Sequence, residues 1–330
     1  MTQQSGGGGS PLASASPAAV TLTAGSAAQR IYGDVPPVAG IYGPSGGGKT
    51  TDCIYLDPEA LFLAGKGALK PAISVIQIEP KHARDDCDDL DAIVKAIIEE
   101  RKKRRVRTLV IDDLSLAVKN TVAKLEGAKH TGWALWKALN RKLLQPGEGL
   151  LPVCRDMGIK VVFNCHDKAP GEDGSPGGPN LPGQLLEELP RNIDMMLLMT
   201  ADPSREPHGA SYRCSLKHYP TWRTKDRHDV CWERTPPNLA EILRAAGYLI
   251  ERPVGFEWLD NYVEHIAQQI AAAGFAGTMA VKPAAWTWMT GTEKIPDWIA
   301  AWILRDAMDR AEIRKHQQDK YKLRLGIPVT

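Results

Sequence analysis

The chain has 330 residues, 43% of them hydrophobic and 24% charged, with a formal net charge of +2. Those values suit a soluble globular protein of one large or two small domains, and so slight a net charge excludes a global field for holding a polyanion, leaving only local patches. Six cysteines without C-x-x-C spacing indicate neither a zinc site nor a disulfide framework, no apolar run reaches the length of a membrane span, and no basic-then-apolar leader opens the sequence; free thiols in a reducing cytoplasm and no membrane partner are the expectation.

Residues 1–30 are rich in Gly, Ser, Ala and Thr, with Gly6 to Gly9 consecutive. Such a segment cannot bury enough apolar area to offset its ordering entropy, so a disordered tail is expected. One folded domain is expected over 31–249 and a mainly helical extension over 250–330.

The stretch Gly43-Pro44-Ser45-Gly46-Gly47-Gly48-Lys49-Thr50 reads G-x-x-x-x-G-K-[ST], the phosphate-binding P-loop. The apolar run Val38 to Tyr42 precedes it and helix-compatible residues from Thr51 to Tyr55 follow, which is the strand–loop–helix context the motif requires. Glycines let backbone N–H groups turn inward as a nest for a polyanion, and the following helix adds its N-terminal partial positive charge. Residues 43–51, Thr51 included, are therefore the nucleotide-binding candidates. Lys49 would reach the β- and γ-phosphates of ATP and Thr50 would help hold Mg²⁺.

Further along, Ala60 to Ala64 is a short apolar run, and Ile73 to Ile78, rich in β-branched residues, predicts a strand with Glu79 at its end. Leu90, Ile93, Val94, Ile97 and Ile98 recur at helical spacing. Aspartates 85, 86, 88 and 89 open that helix and the basic run Arg101 to Arg107 closes it, both in the sense the helix dipole favours. The basic run reads as a solvated helix end or as a DNA-contacting patch.

Thr108-Leu109-Val110-Ile111-Asp112-Asp113 has the form of a parallel strand buried on both faces that ends in carboxylates at the ligand edge of an open α/β sheet. It fits a Walker B strand. Asp112 would sit in the Mg²⁺ shell, and Asp113 would polarise the attacking water, a role for which Glu79 competes. Trp133, Trp136, Leu139 and Leu143 predict one core-facing helical stripe, with nucleic-acid stacking as the other reading. Lys160 to His166 is another buried strand, and His166 at its end is a candidate sensor of the γ-phosphate or of a bound polynucleotide, or else a satisfied strand-end histidine. Residues 169–183 predict a long Gly- and Pro-dense loop beside the ligand edge. A strand over 193–199, edge strands over 212–216 and 220–223, and a helix over 238–248 complete the domain. Lys225 and Arg227 stand two apart, so in an extended segment both point the same way, toward a phosphate or toward solvent. Beyond residue 250, tryptophans and helical periodicity return, without a catalytic motif.

Taken in order, the P-loop, Leu109 to Asp113, the strand ending Asn164-Cys165-His166, the segment from Leu181 to Pro190, and Thr224-Lys225-Asp226-Arg227 resemble those of phage-encoded RecA-like ATPases, including the single-strand annealing type. The resemblance covers roughly residues 31–248. It implies an α/β RecA-like core with a mostly parallel sheet flanked by helices and a helical C-terminal appendage. It also implies ATP and Mg²⁺ as ligands, single-stranded DNA as partner, and a homo-oligomer in which Lys225 and Arg227 reach the ATP of the adjacent subunit. A DNA motor or loader, and a nucleotide-binding assembly protein with little turnover, are the alternative expectations.

Overall fold

In the computed structural model, residues 35–57, 59–76, 79–202, 211–215, 221–231, 238–248, 257–295 and 297–324 are described. The expected tail at 1–30 lies outside them. The core is a nine-stranded sheet in the order β3-β2-β4-β5-β1-β7-β8. Its strands are β1 (Val38–Gly43), β2 (Leu61–Ala64), β3 (His82–Arg84), β4 (Thr108–Asp112), β5 (Lys160–Lys168), β7 (Met195–Asp202) and β8 (Ser211–Ser215), with β6 (Gly178–Pro179) on β5 and β9 (Lys225–Asp226) on β7. The strands from β3 across to β7 run parallel, while β8 and β9 pair antiparallel with β7. All the parallel strands therefore end on one edge, where open α/β sheets bind ligands. The strand that enters the P-loop and the strand that ends in Asp112 are not neighbours, because β5 lies between them.

The apolar strands alternate between two cores because successive side chains point to opposite faces. On one face Val38, Tyr42, Leu109, Ile111, Val161 and Phe163 pack with Ile93 and Ile97 of α3 (Leu90–Arg101), Val118 of α4 (Leu114–Gly127), Leu139 of α5 (Gly132–Leu143), Leu151 of α6 (Leu150–Asp156) and Leu185 of α7 (Leu185–Asn192). On the other, Ala39, Ile41, Val110 and Val162 meet Cys53 and Ile54 of α1 (Lys49–Leu56) and Leu239, Ile242 and Leu243 of α8 (Leu239–Ala245). Each fully buried large side chain contributes roughly 1.5–3 kcal/mol of transfer free energy. Gly40 of β1 leaves room for a ring of β5: a Cβ there would lie 2.5 Å from the Phe163 ring.

Several expectations hold and several do not. Asp89 caps α3 by accepting from the N–H groups of Asp91 and Ala92, and the strand expected over 193–199 forms as β7 (Met195–Asp202), with Met195, Met196 and Met199 in the core at 1% exposure or less. Ile73 to Ile78 is not a strand. Lys70–Ile76 is helix α2, with Pro71 in its first turn, Ala72 buried and Ile73 partly buried against α1's side of the sheet. Here local β-propensity loses to a helical packing face, and residues 77–78 lie outside the described ones. Trp133 is 69% exposed, and the buried stripe of α5 is Leu135, Leu139 and Leu143 instead. The stripe turns because a helix advances about 100° per residue; Trp136 is only partly buried. Of the expected edge strand at 220–223, residue 220 lies outside the described ones and residues 221–223 make only a single bridge, between Trp222 and Gly177, and the loop over 169–183 folds back through β6 onto the end of β5.

The C-terminal helices are α9 (Glu257–Thr287), which breaks at Gly274 with φ +65°, and α10 (Asp297–Arg324), joined by a π-helical turn at Trp288–Thr292. They form their own core around Val263, Ile266, Met289, Ile303 and Ala307. Several polar ties hold this hairpin to the sheet domain, a buried one being Asn238, which donates to Asp306 of α10 at 2.7 Å. Arg310, 7% exposed, donates to Glu241 of α8 and to Asp260 and Glu264 of α9. Arg305 donates to Asp52 of the P-loop helix at 2.9 Å and lies 4.5 Å over the Tyr55 ring.

Candidate nucleotide and metal site

The loop between β1 and α1 folds as its glycines dictate. Gly46 and Gly48 have φ of +75° and +80°, a left-handed backbone that side chains rarely adopt, and Gly48 is the residue that caps α1. The result is a concave turn, closed by Gly47 N–H donating to the Pro44 carbonyl at 3.1 Å, with the N-terminus of α1 opening onto it. Lys49 curls back over this concavity: its Nζ donates to the carbonyls of Gly43 and Pro44, both at 2.8 Å. Burial lowers the Lys49 pKa, opposed by the carboxylates of Asp112, Asp113 and Asp167.

Across from the loop, Asp112 ends β4 at 6% exposure. Its Oδ2 accepts from the Thr50 hydroxyl at 2.7 Å and its Oδ1 accepts from the Asn164 amide at 3.0 Å. Lys49, Thr50 and Asp112 therefore share one side of one sheet edge. Asn164 sits in mid-strand on β5 at 0% exposure and also accepts from the Cys53 thiol at 3.3 Å. Position 164 is where the sheet bridges β4 to α1 through the intervening strand. Its polarity inside the run Val161-Val162-Phe163-Asn164-Cys165 is the one local sign of that role.

Asp113 caps α4, accepting from the Ser115 N–H at 2.6 Å. Burial raises its carboxyl above the ordinary range, with the Ser115 N–H and His166 pulling the other way. His166 Nε2 lies 3.1 Å from Asp113 Oδ2. The ring is half exposed, and its backbone N–H donates to Ser115 Oγ at 3.1 Å. Because Gly43 pairs with His166 across β1 and β5, the Asp113–His166 pair flanks the mouth of the P-loop.

Two expected participants stand elsewhere. Glu79 is exposed on the segment leading into β3, beyond the N-terminal ends of the strands, so it is not a strand-end base; with its strand replaced by α2, the competition with Asp113 ends. Lys225 and Arg227 also lie at the N-terminal edge, since Lys225 and Asp226 pair with Met196 and Met195 at the start of β7. Within the chain, Lys225 Nζ donates to the carbonyls of Pro190 and Ile193, both at 2.6 Å, and Arg227 donates to Asp194 at 2.7 Å. Neither side chain reaches the P-loop of its own chain.

The donor chemistry fits a magnesium ion. Thr50 and Asp112 offer hard oxygens side by side, and magnesium keeps most of its shell for water and substrate phosphate rather than an all-protein cage. No cluster of three or more His, Cys, Asp or Glu side chains able to hold a metal occurs among the described residues. Cys53, Cys87, Cys154, Cys165 and Cys231 are free and buried. No described helix is long and apolar enough to cross a membrane.

A glycine-turned loop at the head of a helix, facing an acidic strand tip across a mostly parallel sheet, defines a P-loop nucleotide-binding protein. Residues 36–228 match the family model described as an AAA domain. That is more than half of the chain, and the chain belongs to this family of P-loop ATPases. No curated protein matches it.

Proposed function

We propose that the protein binds Mg-ATP at the β1–α1 loop and hydrolyses it in the service of single-stranded DNA transactions in phage recombination or replication. The observation that carries the nucleotide part is the 2.7 Å contact between Thr50 and Asp112. The P-loop helix and a strand two places away aim oxygens at one point, as a shared cation requires. The nest N–H groups from Gly46 to Thr51 and Lys49 would hold the phosphates; Thr50 and Asp112 would hold the metal. Magnesium, when bound, offsets negative charge on the phosphates. Asp113, its affinity for a proton raised by burial, would accept one from an attacking water, and His166 would orient that carboxylate and report on the phosphate mouth.

The DNA assignment rests on the resemblance in motif order, as does assembly into a homo-oligomer. For Lys225 and Arg227 to act on a neighbour's nucleotide, each must first leave its present partners; Arg227, 42% exposed, is the readier of the two.

The test is ATP turnover with single-stranded DNA, duplex DNA and no DNA, for the wild type and Lys49→Ala. Turnover that rises with single strands and vanishes in the variant is expected. Stimulation only by forked duplex with strand separation would mean a motor. Nucleotide binding that depends on Lys49 with negligible turnover would mean an assembly protein. Nucleotide affinity unchanged by Lys49→Ala would overturn the site.

A further inference from the structure

We propose that the N-terminal edge of the sheet, opposite the nucleotide, is a docking surface for the phosphate backbone of single-stranded DNA. This deepens the DNA reading above and rests on it. The basic run Arg101 to Arg107 lies in the connection from α3 into β4. Arg101, Lys102, Lys103 and Arg105 are all exposed. Closing the helix end neutralises little of this charge. Glu100 takes Arg104 at 2.8 Å and Lys103 only at 3.4 Å, and no partner is found for the Lys102 or Arg105 side chain among the described residues.

The second half of the surface comes from tertiary structure. Arg101 reaches across to Met157, just past α6. Two residues back, Arg155 donates to Asp194 at 2.7 Å, and Arg227 donates to the other oxygen of the same carboxylate, also at 2.7 Å. Asp194 is 3% exposed and already accepts from the Val38 N–H, so one carboxylate serves two guanidiniums. Arg107, Val38 and Asp194 stand at the entries of β4, β1 and β7, and Lys160 at that of β5. With strands about 4.8 Å apart, the two clusters span roughly 15 Å along one edge, several nucleotides' worth of backbone.

Charge complementarity selects a polyanion. A lipid surface is disfavoured, because the large apolar side chains exposed at or beside this edge among the described residues, Val35, Ile98 and Met157, are single residues on three separate segments rather than one patch. The surface also lacks, among the described residues, the exposed aromatic rings that stack bases, so it would read backbone rather than sequence.

Four phosphate contacts to single strands imply a slope of log affinity on log salt near −2.8, or about a fifty-fold weakening between ~50 and ~200 mM salt. The experiment is fluorescence anisotropy with labelled oligothymidylate at both salt concentrations, on the full chain and on Lys102→Gln/Arg105→Gln. Both positions are solvent-facing, so the variant should fold. With these two cations neutralised, the salt effect is expected to fall to about seven-fold, with nucleotide affinity unchanged. Wild-type binding that the double variant leaves intact would overturn this surface while leaving the DNA reading standing. Salt-sensitive binding through this edge, with turnover indifferent to DNA, would support the surface and remove the functional reading. Binding to anionic phospholipid vesicles but not to oligothymidylate would overturn the assignment in favour of a membrane.

Discussion

The Asn164 amide is the piece of the site whose removal has the most directly calculable consequence. Asn164→Ala deletes the donor to Asp112 Oδ1 at 3.0 Å and the acceptor for the Cys53 thiol. Asp112 is 6% exposed, so water does not readily replace the donor. A hydrogen bond to a charged acceptor is worth about 1.5–3 kcal/mol, and the small void left at a fully buried position adds about 1 kcal/mol. The sum, ~2.5–4 kcal/mol, corresponds to a melting temperature lower by roughly 5–16 °C for a domain of this size. Asp112, held then only by Thr50, loses its fixed orientation, so magnesium-dependent nucleotide affinity should fall together with stability. Asn164→Asp sharpens the test. It preserves shape but sets a second carboxylate beside Asp112, so one of the pair must hold a proton in the folded state. A folded-state pKa raised above its unfolded value gives stability that is present at acid pH and lost as pH rises. The Asp variant should therefore approach the wild type at low pH and fall away toward neutrality, while the Ala variant shows no such added slope. Thermal melts at about pH 5 and about pH 8, with and without Mg-ATP, read all of this. An Ala variant that melts within a degree or two of the wild type and binds Mg-ATP equally would refute the reasoning.

Other expectations follow from the same geometry. Burial raises Asp52 from the ordinary 3.8 to about 7 despite Arg305 beside it; the folded state thus prefers the protonated acid, and its contribution is present below about pH 4 and lost between about 4 and 7. Asp52→Asn should remove up to ~4 kcal/mol of that loss, seen as a flatter plot of melting temperature against pH; Asp309, raised to about 8 beside the same guanidinium, keeps some slope. Arg310→Met strands Glu241, 4% exposed, leaving Arg244 beside it; a cost of ~3 kcal/mol is expected, with faster proteolysis between α9 and α10. His166→Ala should lower turnover by about 10²-fold while leaving nucleotide affinity within a few-fold, by steady-state kinetics and equilibrium binding; equal loss of binding would make His166 a structural residue.

What the sequence determined by itself was local chemistry. The P-loop was legible because its function needs backbone conformations that only glycine adopts cheaply, so the requirement is written into consecutive residues. The strands β1, β4, β5 and β7 were legible because parallel strands buried on both faces must be continuously apolar, and Asp112 because a carboxylate ending such a run has few other reasons to be there. Tertiary structure decided what depends on neighbours far along the chain. Residues 70–76 became a helix because its packing face outweighed β-branched composition. Glu79, Lys225 and Arg227 proved to be on the far edge because strand direction, not residue type, fixes which end of the sheet a side chain occupies. Asn164, Arg305 and the shared Asp194 acquired their meaning only when segments 33 to 253 residues apart were brought within hydrogen-bonding distance, a pairing no local pattern encodes.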